Sequence, residues 1–320
     1  MRLVSAPHGA AVERDPPDVS FGRFWRPRYW PTWALWLALK WAAKLSYPAQ
    51  LRLGRSLGPW LQRIKKRQAR IARKNLAVCF AELSVEQREA LLRRHFEAVG
   101  ISFLEMSIGW FAPRETLRRL VHVEGKQHLD NALEKGKGAL LVAAHFTPLE
   151  TCVAIMADIS ARTSTLYRPQ RNAMMDSIIY RGRSRFAHVQ IPRDNVRALL
   201  KRLRANDTVL YMPDQTYLGN QSALLPFFGE LAVTNIVVPK LAKISGAAVL
   251  PYFFLRRADG SGYDVTIGAP FENWPTEDPS TDMLRWVAAL EQHIRRAPEQ
   301  YLWLYKKFKS RPAPLPDLYR

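Results

Sequence analysis

The distribution of hydrophobic positions divides the chain into a helical N-terminal part and a later part of short apolar runs. Trp30–Leu53 is apolar, carries four tryptophans and is long enough to cross a bilayer. Lys40 and Lys44 interrupt it, but lysines four residues apart share one helix face and can extend their ammonium groups toward water. The pattern predicts a tilted membrane anchor, a helix lying in the membrane interface, or a buried amphipathic helix.

Two further helices are predicted before residue 115. Between Leu61 and Leu76, basic residues recur at three- and four-residue steps opposite apolar ones, giving a helix with one cationic face. That face is either solvated or attracted to anionic headgroups, and its place beside an aromatic anchor favours the lipid. A helix that reads DNA is a third interpretation, which no recognisable motif supports. The helical pattern continues from Val85 to Trp110.

After residue 115 the period changes to short β-rich runs, several of them separated by helical stretches. The predicted strands are Gly138–Ala144, Ser164–Tyr167, Thr208–Met212, Ala247–Phe254 and Tyr263–Ile267. This alternation predicts an α/β fold in which helices cover the sheet. We therefore expect a tail over residues 1–23, a membrane-anchoring and amphipathic helical region over 24–114, and an α/β catalytic domain over 115–320.

The charge balance indicates polyanionic partners. The 320 residues include 48 Lys and Arg against 28 Asp and Glu, which leaves a net charge of +20. Nucleic acid, anionic lipid and an acidic carrier protein all fit that charge. Cys79 and Cys152 are too few for a disulfide framework, so we expect buried thiols in a reducing compartment. The first twenty residues show no secretory signal, and we expect a mobile tail there.

The candidate chemistry begins at the end of the first long apolar strand. In open α/β sheets, sites gather beyond the carboxyl ends of strands, and His145 follows the strand at Gly138–Ala144. Glu150 comes five residues later, in the first turn of a predicted helix. Its carboxylate can fold back toward the imidazole, fix the tautomer and stabilise the imidazolium. His145 is therefore the predicted general base and Glu150 its predicted partner.

Other interpretations compete at these positions. Thr147, Pro148 and Glu150 also fit a capping box, which needs no catalysis. The seven histidines are scattered and no HExxH pair occurs, so we expect no catalytic metal. The chain has no GxSxG motif, and Cys152 lies in a predicted helix without an activating group. Direct transfer without a covalent enzyme intermediate is the simpler hypothesis.

Polar residues also follow two other predicted strands. Arg168 and Arg171 come after the strand at Ser164–Tyr167 and offer fixed cations for a phosphate or an oxyanion, unless they are ordinary surface arginines. Asp214 and Gln215 come just past the strand at Thr208–Met212. A turn further along is rich in aromatics and either holds an acyl chain or packs the core; its residues are Phe227, Phe228 and Gly229.

At these residues the chain resembles the lipid A biosynthesis acyltransferases, the lauroyl/myristoyl family within the lysophospholipid acyltransferase superfamily. The resemblance runs from about Phe24 to Tyr319 and rests on six motifs in order. They are PRYWPTW (27–33), HFTPLE (145–150), YRP (167–169), PDQ (213–215), PFFG (226–229) and PEQYLWLYKKFKSRP (298–312). Leu224 and Leu225 before PFFG, and KKFK in place of RRFK, depart from the pattern that we expect for the family.

The resemblance implies a mixed sheet and a membrane-bound bacterial enzyme at the cytoplasmic face of the inner membrane. Its His-x4-Asp/Glu motif implies a base at His145 and its partner at Glu150, while Arg168 and Asp214 bind substrate or organise the site. The implied donor is acyl carrier protein and the implied acceptor is a phosphorylated lipid A precursor. No cofactor is expected, and the implied partners include anionic lipids of the membrane but no nucleic acid.

Both substrates would suit the positive charge of the chain, and the tail after Trp303 would face the same surface through Lys306, Lys307, Lys309 and Arg311. Another lipid acceptor remains an alternative: a lysophospholipid, an ornithine lipid or a mannosylated phosphoinositide. A non-catalytic protein that binds membrane surfaces or nucleic acid through its charge is the alternative from another class.

Overall fold

The computed structural model describes residues 21–185, 189–216 and 218–319. Residues 1–20, which make up most of the predicted tail, lie outside the described residues. Four helices fill the N-terminal part: α1 (Trp30–Ala42), α2 (Tyr47–Ile64), α3 (Lys66–Cys79) and α4 (Val85–Phe111). A 3-10 turn at Pro27–Tyr29 precedes them.

The apolar stretch Trp30–Leu53 is two helices rather than one, so the prediction of a single anchor segment is wrong in this respect. Pro48 stands at the second position of α2. Its missing N–H is tolerated there because backbone N–H groups in the first turn of a helix have no intrahelical acceptor. In the middle of a continuous helix, the same proline would remove one backbone hydrogen bond. Within the described residues, no helix combines the length and the apolar character that crossing a bilayer requires.

The basic helix predicted over Leu61–Leu76 is also divided, because Lys65 leaves helical geometry between α2 and α3. Its basic face is nevertheless exposed at Arg63, Arg67 and Arg70. By contrast, the long helix predicted from Val85 is confirmed as α4. Ser84 and Gln87 begin it with a reciprocal capping box, which satisfies two backbone donors.

The rest of the chain forms an α/β fold. The helices are α5 (Arg114–Leu120), α6 (Lys126–Glu134), α7 (Leu149–Ile159), α8 (Ala173–Ser184), α9 (Val196–Arg204), α10 (Val237–Ser245) and α11 (Pro279–Arg296). The strands are β1 (Val121–Glu124), β2 (Ala139–Val142), β3 (Thr163–Tyr167), β4 (Val189–Pro192), β5 (Thr208–Tyr211), β6 (Ser222–Phe227), β7 (Glu230–Asn235), β8 (Ala248–Arg256) and β9 (Tyr263–Ile267).

Among the described residues, seven strands form one mixed sheet in the order β1-β9-β8-β2-β5-β3-β4, which confirms the predicted α/β fold with a mixed sheet. Only β8 and β9 pair antiparallel within it, while the separate β6–β7 pair is an antiparallel hairpin. Strand β2 is central and every residue of it is buried, as expected for a parallel strand covered on both faces. The five predicted strands correspond to β2, β3, β5, β8 and β9, whereas β1, β4 and the hairpin were not predicted.

Helices α2, α3 and α4 share a hydrophobic core with the sheet, and α4 packs on both α2 and α7. A buried polar network crosses the predicted boundary at residue 115. Glu105 of α4 accepts two hydrogen bonds from Arg256 of β8, at 2.7 and 2.5 Å, and another from Tyr263 of β9 at 2.7 Å. Tyr47 of α2 donates to the same carboxylate at 3.4 Å. Buried charge of this kind persists only when paired and hydrogen-bonded.

Candidate active site

His145 and Asp214 meet at the carboxyl edge of the sheet. Strands β2 and β5 are parallel neighbours in which Val142 pairs with Tyr211. His145 lies three residues after the end of β2, and Asp214 lies three residues after the end of β5. The two loops therefore bring these side chains together. The Nδ1 atom of His145 lies 2.7 Å from Oδ1 of Asp214, and the His145 backbone N–H donates to Oδ2 at 3.0 Å.

This arrangement leaves the other imidazole nitrogen available for chemistry. The His145 side chain is 24% exposed, whereas that of Asp214 is 2% exposed. Because Asp214 is held on the Nδ1 side, the proton of a neutral imidazole belongs on Nδ1 and the lone pair on Nε2. The pair therefore has the geometry of a carboxylate that orients a histidine base.

The electrostatics of the pair favour the charged form of both groups. Burial alone would lower the pKa of His145, but the Asp214 carboxylate outweighs it and raises that pKa above its usual value. Burial would likewise raise the pKa of Asp214, yet His145 and, further away, Lys307 lower it below its usual value. Asp214 is therefore a carboxylate at neutral pH, and His145 gains basicity from it.

A C-terminal segment, residues 300–307, holds this pair from the other side. Tyr301 donates its hydroxyl to Oδ2 of Asp214 at 3.2 Å, and burial raises the pKa of this phenol, which keeps it protonated. Lys307 donates from Nζ to the backbone carbonyl of Asp214 at 2.8 Å and is 3% exposed. Burial lowers the pKa of Lys307. Both side chains stabilise Asp214 in one position.

The same segment fixes the loop that carries His145. The Leu302 N–H donates to the carbonyl of His145 at 2.9 Å, and the Thr147 N–H donates to the carbonyl of Gln300 at 2.8 Å. Phe146 lies between them, pairs with Tyr301 as a β-bridge and packs on its ring. The loop around His145 is therefore anchored by backbone hydrogen bonds on both sides.

Glu150, the predicted partner of His145, makes other contacts. Its carboxylate accepts from Arg183 of α8 at 2.6 and 3.0 Å and from the indole of Trp110 at 2.8 Å. The hydrogen-bond partner of the His145 Nδ1 atom is therefore Asp214 rather than Glu150. A bidentate guanidinium is the stronger partner for a carboxylate in the first turn of α7.

The capping-box interpretation of Glu150 is wrong. Helix α7 begins at Leu149 after Pro148, no side chain caps it, and the Thr147 hydroxyl is buried without a hydrogen-bond partner among the described residues. Glu150 lies in the first turn of α7, five residues after His145, and the charge of its partner Arg183 acts to lower the pKa of His145. A catalytic role for Glu150 stays a prediction.

The other predicted polar residues lie at the same edge of the sheet. Arg168 and Arg171 follow β3, the neighbour of β5, and both are exposed. Gln215 follows Asp214 and is half-buried. Their exposure suits contact with a substrate, which remains a prediction. Among the residues described, no group of histidine, cysteine and acidic side chains is arranged to hold a metal ion.

The aromatic turn packs into the core. Phe227 is 1% exposed and contacts Tyr301 and Phe308, while Phe228 packs on Phe80 and Trp303. Gly229 closes the β6–β7 hairpin at a positive φ of 81° and is exposed. The core-packing alternative accounts for Phe227 and Phe228, and contact of these residues with an acyl chain stays a prediction.

Tyr301, Lys307 and Arg183 are the residues of the site that the sequence interpretation missed. The motif PEQYLWLYKKFKSRP contains Tyr301 and Lys307 and could have indicated them. The prediction instead places all of its cationic residues after Trp303 at the surface. That assignment is wrong for two of them: Lys307 is buried under Asp214, and the Arg311 side chain is buried beside Glu230. Lys306 and Lys309 are half-buried and lie over Tyr319 and Tyr305.

The chain is similar to known proteins over most of its length. The sequence pattern of the family described as bacterial lipid A biosynthesis acyltransferase matches residues 22–310. The chain is 36% identical to a lipid A biosynthesis palmitoleoyltransferase of Escherichia coli, over 95% of this chain and 99% of the relative. It is 34% identical to the lauroyltransferase of the same bacterium, over 92% and 96%, and 26% identical to the myristoyltransferase, over 90% of each.

Proposed function

Because this chain belongs to the bacterial lipid A biosynthesis acyltransferase family, an enzyme family of lipopolysaccharide biosynthesis, we propose how it carries out acyl transfer. The donor is acyl carrier protein, the acceptor is a hydroxyl of a lipid A precursor, and His145 is the general base. The observation that supports the mechanism is the hydrogen bond of 2.7 Å between His145 and the buried carboxylate of Asp214.

The reaction follows from the free nitrogen of His145. Nε2 takes the proton of the acceptor hydroxyl while the oxygen attacks the thioester carbonyl. The tetrahedral intermediate collapses, the C–S bond breaks, and the imidazolium returns its proton to the leaving thiolate. No covalent acyl-enzyme is required, so the two substrates bind together.

Asp214 stabilises the imidazolium that forms during the attack. It is charged, buried and held by Tyr301, so it need not reorganise when the proton arrives. The oxyanion of the intermediate requires a donor at the same edge of the sheet. Arg168 and Arg171 extend from the loop after β3 and supply the guanidinium groups for that purpose or for a substrate phosphate.

We place the enzyme at the cytoplasmic face of the bacterial inner membrane, in contact with anionic lipids. Support comes from large apolar side chains that are exposed in the N-terminal helices and just before them, among them Trp25, Trp30, Leu37, Trp41 and Trp60. Tryptophan is the residue typical of the headgroup region, and the net charge of +20 favours anionic lipid. Sedimentation with anionic vesicles and with neutral vesicles tests this placement. The protein should bind only the anionic vesicles, and salt should weaken the binding. A protein that binds neither kind of vesicle would contradict the placement.

A donor and acceptor panel tests the proposed substrates. Detergent-purified protein is incubated with acyl carrier protein thioesters of several chain lengths, or with the matching coenzyme A thioesters, and with a tetraacylated or pentaacylated lipid A precursor. Mass spectrometry should show one added acyl chain, formed faster from the carrier protein. A lysophospholipid and an ornithine lipid are the control acceptors. Transfer to either of them, but not to the lipid A precursor, would refute the assignment.

A further inference from the structure

An arginine-lined cavity lies at the start of the N-terminal helices, outside the His145–Asp214 pair. It measures about 390 Å³ and is lined by Arg23, Phe24, Arg26, Arg28, Tyr29 and Ala173. Three of these lining residues are arginines, and they lie within six consecutive residues of the chain. Among the described residues, no carboxylate lies within ion-pair distance of Arg26 or Arg28, so their charge is available to a ligand.

Two of the arginines are held in place by aromatic rings. The guanidinium of Arg23 lies 4.9 Å from the centre of the Phe24 ring, and that of Arg28 lies 4.7 Å from the centre of the Tyr29 ring. Arg28 also donates to the Tyr29 hydroxyl at 2.9 Å. Contact with a ring lowers the conformational freedom that each arginine would lose on binding, and Arg28 has further N–H donors besides the group that bonds Tyr29.

The floor of the cavity is rigid. Phe24 is 1% exposed and Tyr29 8%, and they meet edge to face at 4.9 Å. Trp33 donates from its indole to the carbonyl of Phe24 at 2.9 Å, which fixes the loop before α1. Asn172, the N-cap of α8, donates to the Thr32 hydroxyl at 2.8 Å and joins α1 to α8. The cavity is therefore a built feature and not a loose group of surface side chains.

The position of the cavity connects it to the active site. The small core beneath it contains Trp110, whose indole holds Glu150. Ala173, on its wall, follows directly on the loop that carries Arg168 and Arg171 from the carboxyl end of β3. On the outer side, Trp25 and Trp30 are 72% and 62% exposed. A lipid headgroup in contact with these two tryptophans would also meet the cavity.

We propose that this cavity, through Arg26 and Arg28, binds a phosphate monoester on the acceptor lipid. Several guanidinium donors around one concave site match the charge and the oxygen geometry of a phosphate. A phosphodiester in a phospholipid carries a single charge and is the weaker ligand. The inference rests on the proposed function only in naming the lipid as acceptor, since the binding of phosphate can be measured without any reaction.

The test uses phosphatidylcholine vesicles with a small fraction of one added lipid. The three added lipids are the phosphorylated lipid A precursor, the same glycolipid after phosphatase treatment, and phosphatidylglycerol at matched charge. Binding of the full chain is followed by sedimentation for the wild type and for the double variant Arg26→Gln/Arg28→Gln. The control Lys201→Gln/Arg204→Gln removes the same charge from exposed positions at the end of α9, before β5 begins at the opposite edge of the sheet.

We expect the Arg26→Gln/Arg28→Gln variant to lose about tenfold or more in affinity for vesicles with the phosphorylated glycolipid, as deletion of charged hydrogen bonds implies. Its affinity for the dephosphorylated glycolipid should not change, and the control should resemble the wild type on all vesicles. Equal losses on the phosphorylated glycolipid and on phosphatidylglycerol would overturn the inference in favour of general membrane attraction. No loss on any vesicle would overturn it as well.

Kinetics separate this inference from the proposed function. In the transfer assay, the double variant should raise KM for the phosphorylated acceptor about tenfold and leave kcat unchanged, because the cavity does not touch the reacting atoms. A wild type that binds the phosphorylated lipid through these arginines but transfers no acyl chain would refute the proposed function alone. A drop in kcat with KM unchanged would count against the phosphate site.

Discussion

Replacing Asp214 by Asn removes the negative charge beside Nδ1 of His145 and keeps the size of the side chain. The two groups lie 2.7 Å apart. At an effective dielectric constant near 20, unit charges at that distance attract by about 6 kcal/mol. The Asn dipole and the relief of burying a carboxylate offset part of this, so we expect a loss of about 3–5 kcal/mol, or roughly 10²- to 10⁴-fold in kcat.

The pH dependence of this variant has a defined sign. The base acts when neutral, so kcat/KM rises as pH passes through the pKa of His145. Burial lowers that pKa, and the Asp214 carboxylate more than offsets the effect. Without the carboxylate, burial dominates. The acid limb of the profile should therefore move to lower pH in Asp214→Asn, while the maximal rate falls.

The assay is the initial rate of acyl transfer, followed by mass spectrometry over the pH range in which an imidazole titrates. Glu150→Gln is the matched control, since it neutralises a carboxylate that contacts Arg183 and Trp110 instead of Nδ1. We expect the control to shift the acid limb less than Asp214→Asn. If Glu150→Gln gives the full shift and the full loss of kcat while Asp214→Asn gives neither, Glu150 is the partner and our reasoning is wrong.

Two more variants probe the surroundings of the site. Tyr301→Phe removes a donor to Asp214, so the carboxylate becomes more basic and the acid limb should move to higher pH, opposite to Asp214→Asn; a downward shift would contradict this. Glu105→Gln leaves the buried charge of Arg256 unpaired and should lower the free energy of unfolding by about 3–5 kcal/mol, measured by chemical denaturation; an unchanged denaturation midpoint would show that the network adds no stability.

The sequence predicted the parts of the fold that have strong local patterns. Strands β2, β5 and β8 lie in mainly apolar stretches because both faces of the sheet are covered, and α4 begins with a capping box. Strand β1 was missed because His122 and Glu124 alternate with valines over only four residues. The β6–β7 hairpin was missed because its turn places Phe228, a bulky residue, at a positive φ of 52°.

The sequence indicates which candidate residues follow strands, but not which of them contact each other. His145, Asp214 and Arg168 all follow strands, which the sequence indicates directly. That β5 lies next to β2 is a property of the strand order, and no spacing along the chain reveals it. The burial of Lys307 is similarly non-local, since its partner carbonyl belongs to a residue 93 positions away. From the sequence alone, the cationic residues at 306–311 therefore suggest an exposed surface.

The most direct test of the central claim is the mass of the lipid product formed by the wild type and by His145→Ala. Both proteins are incubated with the same acyl carrier protein thioester and lipid A precursor, after matched circular dichroism spectra show that both are folded. We predict that the wild type adds one acyl chain and that the variant loses nearly all of this activity. A variant as active as the wild type would show that His145 is structural and would contradict the mechanism.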